Sequence, residues 1–532
     1  MTGRQSLNAT RITDAERPLD GPRTDGGTTP SNVLLVLADE LGYGQLGCYG
    51  GGAVQGAPTP NMDSIARTGL QLTNFNVETN AVATRSALLT GRHALRSGTA
   101  SPGFPGELVG LTQWEQTLGN VLKGAGYATG YFGTWQLGDE QGRFPTDQGF
   151  DEWFGITDGP EVASYTTNPA FDADTMPTPM ILEGDAGETP KEVKPFDRAA
   201  RATIDETIAE RVVEFVDWHA EAGTPFFATV AFASLAQPVV PHPAFADASG
   251  NGPVADRLLE LDHRVGQLLR ALEEAGVDQQ TLVVVTSASA PTDVDVAETA
   301  VAPFRGTAGT ALEGALRAPF VAKWPGIIPP MTTSNAVVHA VDVPATIAAI
   351  AGTGLPADRE TDGLDQRALF TAKSTESARE GIPIVVNEEL TAVKLGRYKC
   401  HFSHIDPETK TAQQLASPII VNVEADPREE HDISTEVRFL LDQLFDVADE
   451  FEMSLAQEPP IQPGTPDPYD PNAPGQGPMG PGGPMPPMGQ GGPIDDWPMG
   501  EGGPMGGGGP TGGGKPIDDD RPRRPDDETA SR

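Results

Sequence analysis

Two neighbouring carboxylates stand where a parallel α/β sheet would hold a functional site. Asp39 and Glu40 follow the apolar run NVLLVLA at residues 32–38 and precede a glycine-containing turn. Such a run is typical of a buried parallel strand, whose carboxyl end delivers side chains to a site at the edge of the sheet. Without a cation between them, adjacent carboxylates repel each other. We therefore expect one of the two to bind a proton more readily than usual.

A second candidate is Arg85, in the segment NAVATRSALLTGR at residues 80–92. The pattern predicts a helix that begins near residue 84, so Arg85 could contact an anion at the helix N-terminus. It could instead pair with Asp39 or Glu40, because a buried charge requires a partner. The hydroxyls of Thr84 and Ser86 lie beside it, but a hydroxyl nucleophile needs an activating base, and no motif places a histidine near them.

The two cysteines and the neighbouring histidines give weaker signals. Cys48, in the sequence GCYG, is typical of a packed small apolar residue rather than a nucleophile. Cys400, His401 and His404 could ligate a metal ion, but no second ligand cluster accompanies them, which favours a structural role. Two cysteines so far apart in sequence do not predict a disulfide framework.

The elements that must position these residues alternate between helix and strand, which predicts an α/β fold with a mostly parallel central sheet flanked by helices. The clearest unit covers residues 254–287, where an apolar helical stripe ends at Gly276 and the strand TLVVVTS follows. Further helices are predicted at 60–68, 112–124, 343–351 and 436–451, and a further strand at 127–133. Thr112 and Glu115 are predicted to form a capping box at the start of the second of these helices. Four regions result: an N-terminal arm (1–30), a large α/β domain (31–373), a small α+β subdomain (374–456) and a Pro/Gly/Met-rich tail (457–532).

Composition narrows the classes of partner. The chain has 532 residues and a formal net charge of −39, which repels nucleic acid, anionic lipid and sulfated polysaccharide unless a basic pocket intervenes. No segment approaches the roughly 18 apolar residues of a transmembrane helix, and residues 1–30 lack the apolar core of a signal peptide. These features predict a soluble, cytoplasmic protein without a nucleic-acid or membrane partner. The tail is predicted to be solvated, or to be a docking or self-association segment that uses its methionines and Trp497.

Several motifs together resemble a known family. Residues 80–92 resemble the sulfatase signature C-x-P-[ST]-R-x-x-x-x-T-G-R, and NVLLVLADELGYGQLGCYG, TPNMDSIARTGLQLTNFNVET, GYATGYFG, TDQGFDEWFGI and LRAPFVAKWPGIIP occur in the family's order. From residue 32 to about residue 433, the chain is similar to a sulfatase of the alkaline-phosphatase superfamily, especially to bacterial arylsulfatase-type proteins. The resemblance implies an α/β domain with its site at the carboxyl ends of the strands, followed by a small C-terminal domain.

The resemblance also implies which positions carry the family's chemistry, and this chain departs from the family at most of them. Family members oxidise the signature cysteine to formylglycine, bind one Ca²⁺ through carboxylate and amide oxygens, and place a lysine and histidines around the sulfate. Arg85 is retained, and Asp39 and Glu40 are remnants of the metal ligands. The substituted positions are Ala81 for the cysteine, Thr134 for the lysine, Gln136 and Ala236 for histidines, and Ala288 and Ser289 for metal ligands.

These substitutions predict a catalytically inactive sulfatase homologue that acts as a binding or scaffold protein. Alanine has no heteroatom that could become a nucleophile, and two adjacent carboxylates fall short of the six to eight oxygens that Ca²⁺ takes. We therefore expect no cofactor, and a partnership with an intact sulfatase paralogue or with a second copy of the chain. The alternative is an active sulfatase, or a phospho- or phosphonohydrolase, with displaced chemistry.

Overall fold

The computed structural model of the chain describes residues 32–103, 107–406 and 408–471. The strands of this part are β1 (Asn32–Ala38), β2 (Leu70–Leu72), β3 (Phe75–Asn76), β4 (Ala128–Thr134), β5 (Glu152–Ile156), β6 (Met180–Asp185), β7 (Lys191–Pro195), β8 (Phe226–Phe232), β9 (Thr281–Ser287), β10 (Phe320–Lys323), β11 (Thr332–Ser334), β12 (Val338–His339), β13 (Gly381–Val386), β14 (Glu389–Leu395), β15 (Tyr398–Ile405) and β16 (Ala412–Asn422). The α-helices are α1 (Pro60–Thr68), α2 (Ala81–Thr90), α3 (Leu118–Gly124), α4 (Arg198–Ala222), α5 (Pro253–Glu274), α6 (Val294–Ala300), α7 (Glu313–Leu316), α8 (Asp342–Ile350), α9 (Arg367–Phe370) and α10 (Leu441–Gln457).

Ten strands form the central sheet, in the order β11-β2-β10-β9-β1-β8-β4-β5-β6-β7. The run β9-β1-β8-β4-β5 in its middle is parallel, whereas β10 and β6 pair antiparallel with their neighbours. The predicted α/β fold is confirmed. β1 lies between β8 and β9 and is buried along its whole length, as its uninterrupted apolar run requires.

Side chains alternate along β1, so the strand contributes to two separate cores. Leu34 and Val36 pack with apolar residues of α1, α4 and α5 on one face. Val33 and Leu35 pack with apolar residues of α2, α3 and α8 on the other. The molecule is therefore layered as helix, sheet and helix, and its parallel strands end together at one edge.

Three predicted helix starts differ by three or more residues from the observed ones. The helix predicted to begin near residue 84 begins as α2 at Ala81. A capping box was predicted at Thr112 and Glu115, but α3 begins at Leu118, where Thr117 and Asn120 cap each other reciprocally. The carboxylate of Glu115 instead lies 3.3 Å from Arg92 and is buried with it, so it is not available for capping. The helix predicted from residue 436 begins as α10 at Leu441, after a 3-10 turn.

The second sheet is antiparallel, in the order β13-β14-β15-β16, and α10 packs on it through Leu444 and Ala448. One buried lysine ties this sheet to the α/β domain. The Nζ of Lys394 on β14 donates to Asn74 Oδ1 and Asn76 Oδ1, both at 2.9 Å, and to Glu313 Oε2 at 2.7 Å. The predicted small C-terminal subdomain is present, and it contacts the α/β domain through these polar groups and through an apolar cluster that includes Leu316 and Ile384.

The predicted arm at residues 1–30 lies outside the described residues, as does the predicted tail from residue 472 onward. The predicted solvated tail starts at residue 457, but its first, described part, residues 458–471, contacts the α/β domain. Ile461 is buried and its amide donates to Arg96 O at 2.9 Å, while Asp467 pairs with Arg143 at 3.1 Å. Within the described part of the chain, none of the helices combines the length and the apolar character that a bilayer crossing requires.

Candidate functional site

The carboxyl ends of β1, β8 and β9 converge on the predicted site. The amide of Asp39 donates to Phe232 O at 3.3 Å, and the Asp39 carbonyl accepts from Leu235 N at 3.2 Å. On the other side, Ala288 N donates to Ala38 O at 2.9 Å. Asp39, Ala236 and Ala288 therefore lie at the same edge of the sheet, where the parallel topology predicts a site.

Helix α2 brings the signature segment to this edge. Asn80 is the N-cap, and its Oδ1 accepts from Ala83 N at 2.9 Å, which is the capping geometry that asparagine favours. Ala81 is the first residue of the helix, and it has a methyl group at the position where the resemblance to sulfatases implies a nucleophile. Arg85 follows one turn later, with Nη1 at 3.4 Å from Ala81 O.

Arg85 is fully buried and bonded on several sides. Nη2 donates to Asp39 Oδ1 at 2.5 Å, Nη1 to Gln136 Oε1 at 2.7 Å, and Nε to Thr134 O at 3.1 Å. The structure thus brings together Asp39, Ala81, Arg85, Thr134 and Gln136. The ion pair with Asp39 is one of the pairings that the sequence predicted, and it leaves little of the guanidinium for an external anion.

The two carboxylates after β1 point to different partners. Glu40 accepts from Thr292 Oγ1 at 2.9 Å and from Thr292 N at 3.3 Å, and so does not pair with Arg85. Burial raises the pKa of Glu40 to about 7 and also raises that of Asp39, against the lowering effect of Arg85. The predicted ease of protonation is confirmed, but desolvation is its main cause, and repulsion between the two carboxylates is a smaller one.

The oxygen donors at the family's calcium position do not fit that ion. Asp39 Oδ2 is buried without a protein hydrogen-bond partner among the described residues, yet Oδ1 is already neutralised by Arg85. Ala288 has no side-chain donor, and the carbonyl of Ser289 accepts from Ser287 Oγ at 2.7 Å. With Glu40 turned towards Thr292, the side chains supply far fewer than six oxygens.

The hydroxyls near position 81 have no activating base among the residues that the structure describes. Thr84 Oγ1 donates to the backbone carbonyl of Asn80 at 2.9 Å, and Ser86 is fully buried. His242 lies in the loop after β8, where its ring is 3.3 Å from Glu206. None of these contacts joins a hydroxyl to a histidine, which is the arrangement that nucleophilic activation requires.

A buried charge network beneath the site was missed by sequence reasoning. Arg201 on α4 donates to the carbonyls of Ser234 and Ala236, both at 2.9 Å. Asp205, one turn further on, accepts from the amides of residues 233 and 234 and pairs with Arg257 on α5. These contacts fix the loop that carries Ala236. The i, i+4 spacing of Arg201 and Asp205 indicates that both lie on one face of α4, but it does not indicate that Asp205 pairs with Arg257 on α5.

A cavity of about 400 Å³ opens beside Gln136. Its described lining contains no lysine, arginine or histidine. The lining carboxylates are those of Glu107, Asp139, Asp158 and Glu161. Burial, together with neighbouring acids, raises the pKa of Asp158 and of Glu161. The cavity is thus acidic, which disfavours a sulfate ester as an occupant.

The cysteine and histidine candidates lie in surroundings that favour a structural role. Burial raises the pKa of the Cys48 thiol, which lowers its nucleophilicity at neutral pH. Cys400 is buried, and His401 Nε2 lies 2.7 Å from Glu429 Oε2, whereas His404 is exposed. Cys400, His401 and His404 are not gathered around a common point, in keeping with the structural role that was predicted.

Comparisons with known proteins agree with this architecture. The sulfatase family model matches residues 31–353, more than half of the chain. Human arylsulfatase A is 32% identical over 439 residues, which cover 76% of this chain and 83% of that protein. N-acetylgalactosamine-6-sulfatase of Canis lupus familiaris is 30% identical over 396 residues, covering 71% and 72%.

Solved structures show the same fold. The PsFucS1 sulfatase from Pseudoalteromonas sp. has a TM-score of 0.77 and 28% identity, covering 82% of this chain and 92% of that one. The phosphonate monoester hydrolase of Agrobacterium radiobacter shares the fold with a TM-score of 0.52 at 19% identity, covering 80% and 96%. The sheet and its site edge define a protein of the alkaline-phosphatase superfamily. Within that superfamily, the chain belongs to the sulfatase family and is arylsulfatase-like.

Proposed function

We propose that this member of the sulfatase family is catalytically inactive and acts as a binding or scaffold protein. The observation that carries the proposal is the start of α2, where Ala81 offers a methyl group and the following charged residue, Arg85, is bonded to Asp39 and Gln136. Sulfate-ester hydrolysis by this family's route needs a nucleophile at position 81, and alanine supplies none.

The electrostatics of the site support the same proposal. A sulfate ester is anionic, and its binding would require free positive charge near Ala81. Arg85 is neutralised by Asp39 at 2.5 Å, and the adjacent cavity carries carboxylates such as Asp158 and Glu161 without a basic residue among those described. We also propose that the protein does not depend on Ca²⁺, because the donors around Asp39 are too few for that ion.

Hydrolysis assays test the inactivity. The purified chain is incubated with an aryl sulfate, a phosphate monoester and a phosphate diester, each with Ca²⁺, Mg²⁺ or Mn²⁺, and an intact sulfatase serves as the positive control. We expect no turnover above background. Metal-dependent hydrolysis that is lost in Asp39→Ala, but kept in the exposed control Glu192→Ala, would overturn the proposal in favour of a sulfatase or a phospho- or phosphonohydrolase with displaced chemistry.

The scaffold role is proposed to involve an intact sulfatase paralogue or a second copy of the chain, and no nucleic acid or membrane, in keeping with the net charge of −39. Sedimentation velocity and pull-down with a purified paralogue compare the full chain with a chain that ends at residue 471. That end keeps the packed residues Ile461 and Asp467. We expect assembly or capture to be lost on truncation, and an unchanged profile would count against the role of residues 472–532.

We also propose a cytoplasmic location. Cys48 and Cys400 are free thiols, which suits a reducing compartment. Fractionation of the native host, with immunodetection of the chain, tests this proposal. Recovery in the extracellular or periplasmic fraction would contradict it.

A further inference from the structure

Three metal-ligating side chains meet in the core at a place that none of the proposed site residues occupies. Glu78 lies just before α2, His93 lies just after it, and His339 ends β12. All three are buried, and one ligand atom from each lies within 4.8 Å of the others. We propose that Glu78, His93 and His339 bind one divalent transition-metal ion of the Zn²⁺ class, as a structural site that fastens both ends of α2 to β12.

The ligand types suit this class of ion. Two imidazoles and one carboxylate are a set that Zn²⁺ accepts, with an open position for water. His93 Nδ1 lies 2.9 Å from Glu78 Oε1, and the rings of His93 and His339 have centroids 4.9 Å apart. Ligand atoms around a tetrahedral Zn²⁺ are about 3.4 Å apart, given bonds of about 2.0–2.1 Å. Side-chain shifts of about 1 Å bring the three atoms into that arrangement.

The backbone of each histidine is held in place by a carboxylate. His93 N donates to Asp362 Oδ2 at 2.7 Å, and His339 N donates to Asp342 Oδ2 at 2.9 Å. The two arginines nearest to the cluster do not leave free positive charge there. Arg96 pairs with Asp362 at 2.9 Å, and Arg379 pairs with Asp342 at 2.6 Å. These contacts fix the backbone that carries both imidazoles.

The cluster also has an entry route and room for a fourth ligand. His93 lines a surface cleft of about 560 Å³. The carboxylates in that lining, which attract a cation, are those of Glu360, Asp362, Glu380, Asp446 and Glu450. Glu78 and His339 also line a cavity of about 10 Å³, the size of one water molecule. The proposed site is independent of the inactivity proposed above.

Metal titration of the full chain tests the site. After treatment with a chelator and dialysis, the chain is titrated with Zn²⁺ by calorimetry and analysed for bound metal. We expect one high-affinity equivalent per chain. Replacing either histidine, in His93→Gln or His339→Gln, should weaken binding by about 100-fold or more, because loss of an outer contact alone costs about 10- to 100-fold. The exposed control His404→Gln should bind like the wild type.

Co²⁺ provides a second measurement that needs no variant. Bound by Glu78, His93, His339 and water, Co²⁺ should give the visible absorption bands of a low-coordinate ion, and Zn²⁺ should abolish them. Absence of both the bands and the Zn²⁺ equivalent in the wild type would overturn the proposal and leave a hydrogen-bonded cluster without metal. Unchanged Zn²⁺ affinity in both folded histidine variants would overturn it equally.

Discussion

The surroundings of helix α2 differ in chemistry between its two ends. At the N-terminal end, Ala81 is inert and Arg85 is taken up by Asp39. Just beyond the other end, His93 lies against His339 and against Glu78, which precedes the helix, and these three side chains form the proposed metal site. Asp39 and Arg85 need each other, because either charge alone would be buried without compensation. Alanine at position 81 needs no partner. Charged residues can thus stay at a site for stability alone, so their presence is weak evidence of catalysis.

The largest expected effect comes from breaking the pair at the first end. Arg85→Met leaves the Asp39 carboxylate buried and unpaired, and should lower the free energy of unfolding by about 3–5 kcal/mol. Denaturant unfolding measures the loss, with the exposed Arg198→Met as control. Adding Asp39→Asn to Arg85→Met should recover part of it, because no buried charge remains. If Arg85→Met alone lowers the free energy of unfolding by less than about 1 kcal/mol, Asp39 is solvated or protonated in the absence of Arg85.

The next effect concerns the second end. Zn²⁺ at about 100 times its dissociation constant should raise the free energy of unfolding of the chelated wild type by about 2.7 kcal/mol, since it binds only the folded state. Glu78→Gln removes one ligand and should abolish most of this gain. Denaturant unfolding with and without Zn²⁺ measures both proteins. An equal gain in the variant would show that the ion binds elsewhere, and the two ends would then not differ as proposed.

A smaller, pH-dependent effect is expected at Glu40. Its pKa in the folded protein is about 7, above the ordinary value of 4.5, because burial disfavours the charged form. The folded state therefore holds the proton to higher pH than the unfolded state does. The stability linked to this group is full below pH 4.5 and is lost as the pH rises through 7.

Glu40→Gln, which cannot ionise, should accordingly be more stable than the wild type at pH 8 by about 1–2 kcal/mol, roughly half of the full linkage value because the side chain is only partly buried. The difference should shrink towards pH 4.5. Melting temperatures across this range measure it, with the exposed Glu274→Gln as control. A difference that does not vary with pH would contradict the assignment.

The smallest expected effect is that of Ca²⁺. The melting temperature should stay unchanged on adding Ca²⁺ to the chelated chain, because the donors around Asp39 do not complete a shell. An intact, calcium-binding sulfatase is the control and should be stabilised under the same conditions. A calcium-dependent rise in this chain that disappears in Asp39→Asn would show that the first end of α2 still binds the family's metal.

The sequence predicted the large sheet well and the contacts between distant segments poorly. The run at residues 32–38 and the helix–strand unit at 254–287 have strong apolar patterns, and both appear as β1, α5 and β9. The predicted start of α3 is wrong because Glu115 forms an ion pair with Arg92, a contact between separate loops. Such a tertiary contact overrides a local capping signal.

The two ends of α2 show the same contrast between local patterns, which could be predicted, and contacts between distant segments, which could not. The motif at residues 80–92 located Ala81 and Arg85, since the residues of one segment stay together. The Glu78 cluster depends on the pairing of β3 with β12, which sets His339 opposite Asn76. These residues are separated by more than 250 positions in the chain, and no local pattern encodes their meeting. The pairing of Asp205 with Arg257 on α5 was not predicted for the same reason, because the two residues lie on separate helices.

The buried Lys394 affects how the protein unfolds. Its ammonium group lies on the small sheet, and its acceptors Asn74, Asn76 and Glu313 lie on the large domain. Partial opening that frees only the small sheet would separate Glu313 from the buried ammonium groups of Lys394 and Lys399, at 2.7 and 3.0 Å, and leave it with Arg317 alone, which makes such an intermediate costly. The two sheets should therefore unfold cooperatively. The boundary at residue 373 separates two architectures but is an unsuitable place to cut the chain into independently folding pieces.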